Sequence, residues 1–204
     1  MILRFAYGFA LVLILSGCGD NVSPFVNVAR SLLAENKSDP MYGKRLAGVT
    51  PELLESFRFS LIFAELDTTK TSSFMRPMER NGNVETWIGT HGNSLSMTDG
   101  IIVATRGYGY DLASSKRPSL DALRRYAKTG EVYEITYRHW ASEGNLQTRV
   151  GTCKALGWGD EVEEACKMDL MEFTNSYKLD PNGITSSLQW ISPERGNLRT
   201  VRLK

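Results

Sequence analysis

The chain has 204 residues, with 24 Lys and Arg against 23 Asp and Glu, and three cysteines. That near-neutral balance lacks the basic surplus of a nucleic-acid binder, so no nucleic-acid partner is expected. The length suits one domain, and no second long apolar run follows position 15, so nothing further along is expected to span a bilayer as a helix.

The amino terminus is organised around Leu15-Ser16-Gly17-Cys18. Arg4 supplies a positive charge, and residues 5–15 form an apolar run broken only by Gly8. That is the length of a signal h-region and too short for a membrane span. Two small residues and then a cysteine resemble the lipobox of bacterial lipoproteins, which implies cleavage just before Cys18. The chemistry requires a thiol there: its sulfur takes a diacylglyceryl group, and the freed amine is then acylated. The alternative is an ordinary secretory signal in which Cys18 is incidental. Each buried methylene contributes roughly 0.8 kcal/mol, and one chain alone binds reversibly, so two or three chains on one residue make a lasting anchor.

Residues 1–17 are therefore set aside as a signal peptide, 18–49 as a lipidated tether with an amphipathic helix, and 50–204 as a β-rich domain. Gly19 directly after Cys18 points to the periplasmic face of the outer membrane. Asp20, one place later, is the feature favouring the inner membrane. With Cys18 lipidated, Cys153 and Cys166 are left, and an exported chain is expected to pair them. The disulfide closes a loop of about fourteen residues, worth roughly 3 kcal/mol. A metal site is the rival, but His91 and His139 have no ligand spacing to these cysteines, so no metal or cofactor is expected.

In chain order, Ser23-Pro24 looks like an N-cap and first-turn proline opening a helix over 24–34. Phe25, Val28, Ala29, Leu32 and Leu33 fall on one face of it. Residues 35–40 are polar and turn-rich, and Thr50-Pro51 caps another short helical turn. From Ser56 the period changes to two: Phe57, Phe59, Leu61 and Phe63 predict a strand with one apolar face. Residues 71–80 predict a weaker strand interrupted by Pro77. Asn81-Gly82 is a hairpin signal, with a return strand over 84–91 that carries Trp87. Strands over 94–98 and 101–105 flank an Asp99-Gly100 turn. Residues 118–128 predict a helix closed by Gly130. Strands follow over 132–141, 146–156, 167–180, 184–192 and 198–203, with Pro181-Asn182-Gly183 as another hairpin turn. The expected fold is mostly β: an antiparallel meander forming a sandwich or open barrel, with two or three short helices.

Two stretches carry a family resemblance. One runs from Gly82 through Trp87 and Asp99-Gly100 to Ala104-Thr105-Arg106-Gly107-Tyr108-Gly109-Tyr110-Asp111-Leu112. The other is Cys166, then Phe173-Thr174-Asn175-Ser176-Tyr177, and Ser187-Leu188-Gln189-Trp190-Ile191-Ser192-Pro193. With the lipobox in front, the chain resembles the YjbF family of lipoproteins, also called the GfcB or capsule polysaccharide lipoprotein family. One departure is Lys178, where the family pattern often carries a tryptophan. The resemblance implies a non-enzymatic, periplasm-facing accessory protein in exopolysaccharide or capsule export or assembly. It also implies partners: an outer-membrane β-barrel of the YjbH or GfcD type, polysaccharide, and the membrane through the anchor.

Other chemistry finds little purchase. Gly107-Tyr108-Gly109 lacks the third glycine of a dinucleotide fingerprint, since Leu112 stands there; a strand bend suits it better. Arg106 either pairs with Asp111 or Asp99 or meets a ligand. No Gly-x-Ser-x-Gly elbow occurs, His91 and His139 read as structural, and no isolated carboxylate pair suggests a glycosidase. Among Trp87, Trp140, Trp158 and Trp190, the first choice for an exposed sugar platform is Trp158, between two glycines. Arg106, Tyr108, Tyr110 and Trp158 are therefore the binding-loop candidates. The competing function is a periplasmic polysaccharide-modifying hydrolase or lyase, which requires a cleft with two facing carboxylates or a perturbed histidine.

Overall fold

The computed structural model describes residue 46, residues 48–140 and residues 144–204. The expectations for the signal segment, Cys18, the helix over 24–34 and the end of the strand at 141 lie outside the described residues. Two helices and twelve strands are present among those described. The helices are α1 (Pro51–Ser56) and α2 (Leu120–Thr129). The strands are β1 (Ile62–Leu66), β2 (Ser72–Asn81), β3 (Val84–Gly89), β4 (Ser94–Thr98), β5 (Ile101–Arg106), β6 (Leu112–Lys116), β7 (Val132–Trp140), β8 (Leu146–Trp158), β9 (Glu161–Met168), β10 (Met171–Asp180), β11 (Gly183–Ser192) and β12 (Gly196–Arg202). No helix among the described residues is long and apolar enough to cross a membrane.

All twelve strands form one antiparallel sheet in the order β5-β4-β3-β2-β1-β12-β11-β10-β9-β8-β7-β6. Each strand neighbours the next in sequence except at two places. The first strand pairs with the last, Phe63 opposite Val201, and β5 and β6 are left as the two edges. The meander thus curls into a nearly closed barrel, the open-barrel form of the expected fold, with its seam between β5 and β6. Side chains bridge that seam where no ladder does. Leu112 N donates to Thr105 Oγ1 at 2.9 Å, Ser115 Oγ to Ile102 O at 3.3 Å, and Arg106 Nη1 to Leu112 O at 3.1 Å.

The interior is packed rather than hollow. Along β7, Tyr133, Ile135, Tyr137 and His139 point inward, and along β9 Val162, Glu164, Cys166 and Met168 do. A second cluster of Phe57, Leu61, Phe63 and Phe74 lies outside β1 and β2, under Leu53 and Leu54 of α1. Burying each of those rings contributes about 1.5–3 kcal/mol. This explains why β1, buried at every position, is shorter than the period-two pattern predicts. Phe57 and Leu61 carry the apolar face but sit before the strand, in a segment closed by the Leu203 N to Leu61 O bond of 2.8 Å.

Other boundaries differ for identifiable reasons. The strand expected over 71–80 is unbroken, because a register shift between Pro77 and Glu79 absorbs the proline. The strand expected over 84–91 ends at Gly89, whose N–H turns back to Asn93 O at 2.8 Å, leaving His91 in the turn. The single strand expected over 167–180 is the end of β9, a turn and β10. Neither β9 as a whole nor β6 was expected. Ser119 caps α2 and Gly130, at φ +66°, closes it as expected.

Cys153 and Cys166 form a disulfide between directly opposed positions of β8 and β9, with Cα atoms 4.1 Å apart. Reduction of intact protein is expected to raise its mass by two hydrogens; an unchanged mass in electrospray spectra would refute the pairing.

Candidate functional site

The Arg106–Tyr110 loop joins β5 to β6 across the seam, and its own chain holds it. Asp111 is the organiser: its carboxylate accepts from Gly107 N at 2.9 Å, Thr105 Oγ1 at 2.8 Å and Tyr108 N at 3.2 Å. Gly107 and Gly109 take φ of +80° and +66°, the bend that glycine permits. Arg106 pairs with neither aspartate; its guanidinium donates to the carbonyls of Thr105, Leu112 and Ala113. Tyr108 is tucked in: its hydroxyl accepts from Asn93 Nδ2 at 2.8 Å, and burial raises its pKa. Tyr110 is exposed, with the Arg195 guanidinium 5.6 Å from its ring centre. Arg195 also donates from Nε to Gly109 O at 3.0 Å.

Trp158 is 57 % exposed, but at the other end of the barrel. The loop's Asp111 O accepts from Trp140 N, at the end of β7. Trp158 opposes Glu161 at the far end of β8, beyond the Val132–Lys154 pair that starts β7. The structure therefore brings Arg106, Tyr108 and Tyr110 together and leaves Trp158 apart from them. Trp87 and Trp190 are each only 7 % exposed. Trp190 stacks on Phe173 at 4.4 Å, and its N–H backbone group donates to Asn175 Oδ1 at 2.7 Å.

The barrel centre holds a charge network that sequence reasoning missed. Arg117, in the connection between β6 and α2, reaches inward to an ion pair with Glu164, the side chains being 1 % and 0 % exposed. Glu164 also accepts from Tyr133 OH at 2.5 Å, Asn175 Nδ2 at 2.6 Å and Tyr177 OH at 3.0 Å. Arg117 donates in turn to Tyr137 OH at 2.7 Å and Tyr177 OH at 2.6 Å. Burial acts against the charge on Arg117, yet Glu164 beside it holds the guanidinium well above its ordinary pKa. Burial pushes Tyr137 up to about 12 and raises Tyr177 as well, so both hydroxyls stay neutral. His139 belongs to the same interior: its Nε2 lies 2.7 Å from Ile191 O, its ring is parallel to Tyr137, and burial lowers its pKa. A signal for Glu164 was present. Cys166, once paired, must face inward, and a period of two puts Glu164 on the same face. No comparable signal marks Arg117.

A cleft of about 630 Å³ opens at the end of the barrel where α2 begins. Its floor is apolar, with Ile62, Trp87, Met97, Leu120 and Ile184, and its rim includes Arg80, Glu85, Asp99, Asp121 and Arg202. Gln189 fixes one wall by reaching from β11 to β5: its Nε2 donates to Gly100 O and its Oε1 accepts from Ile102 N, both at 2.9 Å. That contact seats the Asp99-Gly100 turn against Ile184. Gly100, at φ +84°, is required there, since a Cβ would stand 2.9 Å from Ile184 Cβ. Arg80 pairs with Glu85, and Arg202 pairs with Asp180 at 2.5 Å. Trp87 lines this cleft, and among the described residues no acceptor meets its buried indole Nε1.

The family model described as group 4 capsule polysaccharide lipoprotein gfcB, YjbF matches residues 38–203. No curated protein matches the chain. Among solved structures, the crystal structure of the hypothetical lipoprotein YmcC from Escherichia coli (K12) is similar, with a TM-score of 0.64 and 13 % identity over 89 % of this chain and 96 % of that one. At that identity the likeness is one of fold.

Proposed function

Because the chain belongs to the YjbF family of group 4 capsule polysaccharide lipoproteins, we propose that it is a lipid-anchored accessory protein of capsule or exopolysaccharide export or assembly. It acts on the periplasmic face of the outer membrane, by binding rather than by catalysis. The observation that supports this reading is where the charged chemistry lies. Glu164 is closed off in the core and committed to protein partners, and His139 lies in the same buried interior with its Nε2 against Ile191 O. Among the described residues, a cleft and a stapled loop lie accessible at opposite ends of the barrel. Such a body offers two surfaces, which suits a bridge between glycan and an outer-membrane β-barrel of the YjbH or GfcD type.

Deleting the protein is expected to lower surface polysaccharide, while purified protein leaves the chain length of isolated polysaccharide unchanged by size-exclusion chromatography. Crosslinking in the native envelope is expected to capture the barrel partner. The competing reading, a hydrolase or lyase, draws on the rim carboxylates Asp99 and Asp121. Shortening of pure polysaccharide by the purified protein would establish it and overturn the binding role.

A further inference from the structure

β8 outruns its neighbour. Its first five residues, Leu146 to Val150, pair with β7 on one side and meet no strand on the other, because β9 ends at Met168, opposite Gly151. Alternate residues of an antiparallel strand turn their N–H and C=O groups to opposite sides. Cys153 and Cys166, with Cα atoms 4.1 Å apart, are a pair that exchanges no backbone bonds, so the even positions of β8 bond away from β7. Trp140 N gives the same parity, since it donates away from β8 to Asp111 O. The N–H and C=O groups of Leu146 and Thr148 therefore project from an open edge, and no described residue bonds to them.

Exposed edges are normally blunted by lysine, proline, a bulge or a cover. The barrel seam follows that rule with side chains: Gln189 and Ser115 cap Ile102, and Thr105 and Arg106 cap Leu112. Leu146-Gln147-Thr148-Arg149-Val150 has no lysine or proline, and its ladder to β7 is regular. Its one charge, Arg149, is folded back onto Asp169 Oδ2 at 3.3 Å and Gln147 Oε1 at 3.4 Å. On the outer face Trp140 and Leu146 lie opposite each other, 44 % and 37 % exposed. An open backbone edge beside an uncovered apolar pair is built to receive a strand, and the edge is complementary to itself.

We propose that this edge pairs with the same edge of a second copy of the chain, giving a two-fold dimer centred on Gln147. Two copies of one edge can meet only antiparallel, so the contact is isologous. The turn at Asp169 stands beside Val150 and limits the overlap to the residues before it. Bonding parity then sets Leu146 of each copy opposite Thr148 of the other, and Gln147 opposite Gln147. Four backbone hydrogen bonds form, all from groups left open in the monomer. The two Leu146 residues become diagonal neighbours about 7–8 Å apart, so Trp140 and Leu146 of both copies make one apolar patch. No like charges oppose each other, since Arg149 faces Asn145. The two barrels point in opposite directions, but residues 19–45 can reach up to about 90 Å when extended, enough for both Cys18 anchors to share one membrane. The dimer does not depend on the polysaccharide reading.

The test uses the full lipidated chain in detergent micelles. Gln147→Cys is expected to give a covalent dimer on mild oxidation, seen on non-reducing gels. Facing residues of a pair that exchanges no bonds stand about 4.5 Å apart at Cα, within disulfide reach. Thr148→Cys and Arg149→Cys should each cross-link at least about tenfold less, because their symmetry mates stand about 7–8 Å or more apart. Without added cysteine, the dimer fraction in sedimentation should rise with protein concentration at constant detergent. Thr148→Pro should weaken that association about tenfold or more and keep the urea midpoint, since proline removes an N–H that the monomer leaves unused. Leu146→Lys places a charge from each copy beside the two-fold axis and should weaken association similarly; it decides the matter if the proline variant fails to fold. An unaltered chain that sediments as a monomer at every concentration would overturn the dimer. Thr148→Cys and Arg149→Cys cross-linking as readily as Gln147→Cys would overturn it too.

Discussion

Glu164→Gln is expected to cost about 3–5 kcal/mol, the range for breaking a buried ion pair from one side. With domain stabilities of about 5–15 kcal/mol, the variant would stand near the edge of folding. The geometry says why a near-isosteric change is so damaging. One oxygen of Glu164 receives Arg117, Asn175 and Tyr177, and the other receives Tyr133. A glutamine fits best with its amide nitrogen toward Tyr133, whose hydroxyl can turn to accept. That arrangement still leaves the Arg117 guanidinium, 1 % exposed, without a counter-charge. An arginine cannot shed its proton to escape the cost.

Arg117→Met is expected to be milder, because the carboxylate left behind keeps three neutral donors, Tyr133, Asn175 and Tyr177, whereas Glu164→Gln strands a buried guanidinium. Urea midpoints should therefore fall for both variants and fall further for Glu164→Gln. Equal midpoints for Glu164→Gln and the unaltered chain would show that the pair contributes nothing.

The sheet was largely legible because its turns carry their own chemistry. Asn81-Gly82 and Asp99-Gly100 sit where positive φ is needed, at Gly82, Asp99 and Gly100, and each marks a hairpin of the meander. Strands were lost where the alternation was chemically mixed. In β9, Val162, Cys166 and Met168 share their inner face with Glu164, so the run reads as a charged surface segment. In β6, Ser114, Ser115 and Lys116 read as loop because the strand is a barrel edge whose partners across the seam are side chains. The family motifs were visible, but their roles were not. Asn175, Tyr177, Gln189 and Trp190 work inside the barrel, holding the charge network and the β11–β5 contact. The cleft escaped notice for a different reason. Its walls come from β1 to β4, α2, β11 and β12, and no local pattern records that these elements converge. Trp158 was the exception, since flanking glycines at a strand end leave an indole uncovered.

Cys18→Ser, placed behind an ordinary cleavable secretory signal, is expected to move the protein from the membrane pellet to the soluble periplasmic fraction. The swap of signal removes the apolar run at residues 5–15 as a competing anchor. That run is in any case too short to cross a hydrocarbon core about 30 Å thick. Attachment then depends on acyl chains alone. One myristoyl chain gives an association constant of only about 10⁴ M⁻¹, whereas a diacylglyceryl thioether plus an acylated amine adds roughly 0.8 kcal/mol for every further buried methylene. Serine forms no such thioether, so the loss should be complete rather than graded. The unaltered chain should incorporate an alkyne-tagged fatty acid, and the variant should not. Because the disulfide and the charge network lie in the barrel, the released protein should unfold at the same urea concentration as the anchored one. If surface polysaccharide falls although a folded, soluble copy is present at normal abundance, the anchor's contribution is the local concentration it enforces at the membrane. A serine variant still wholly in the pellet would refute lipid anchoring through Cys18.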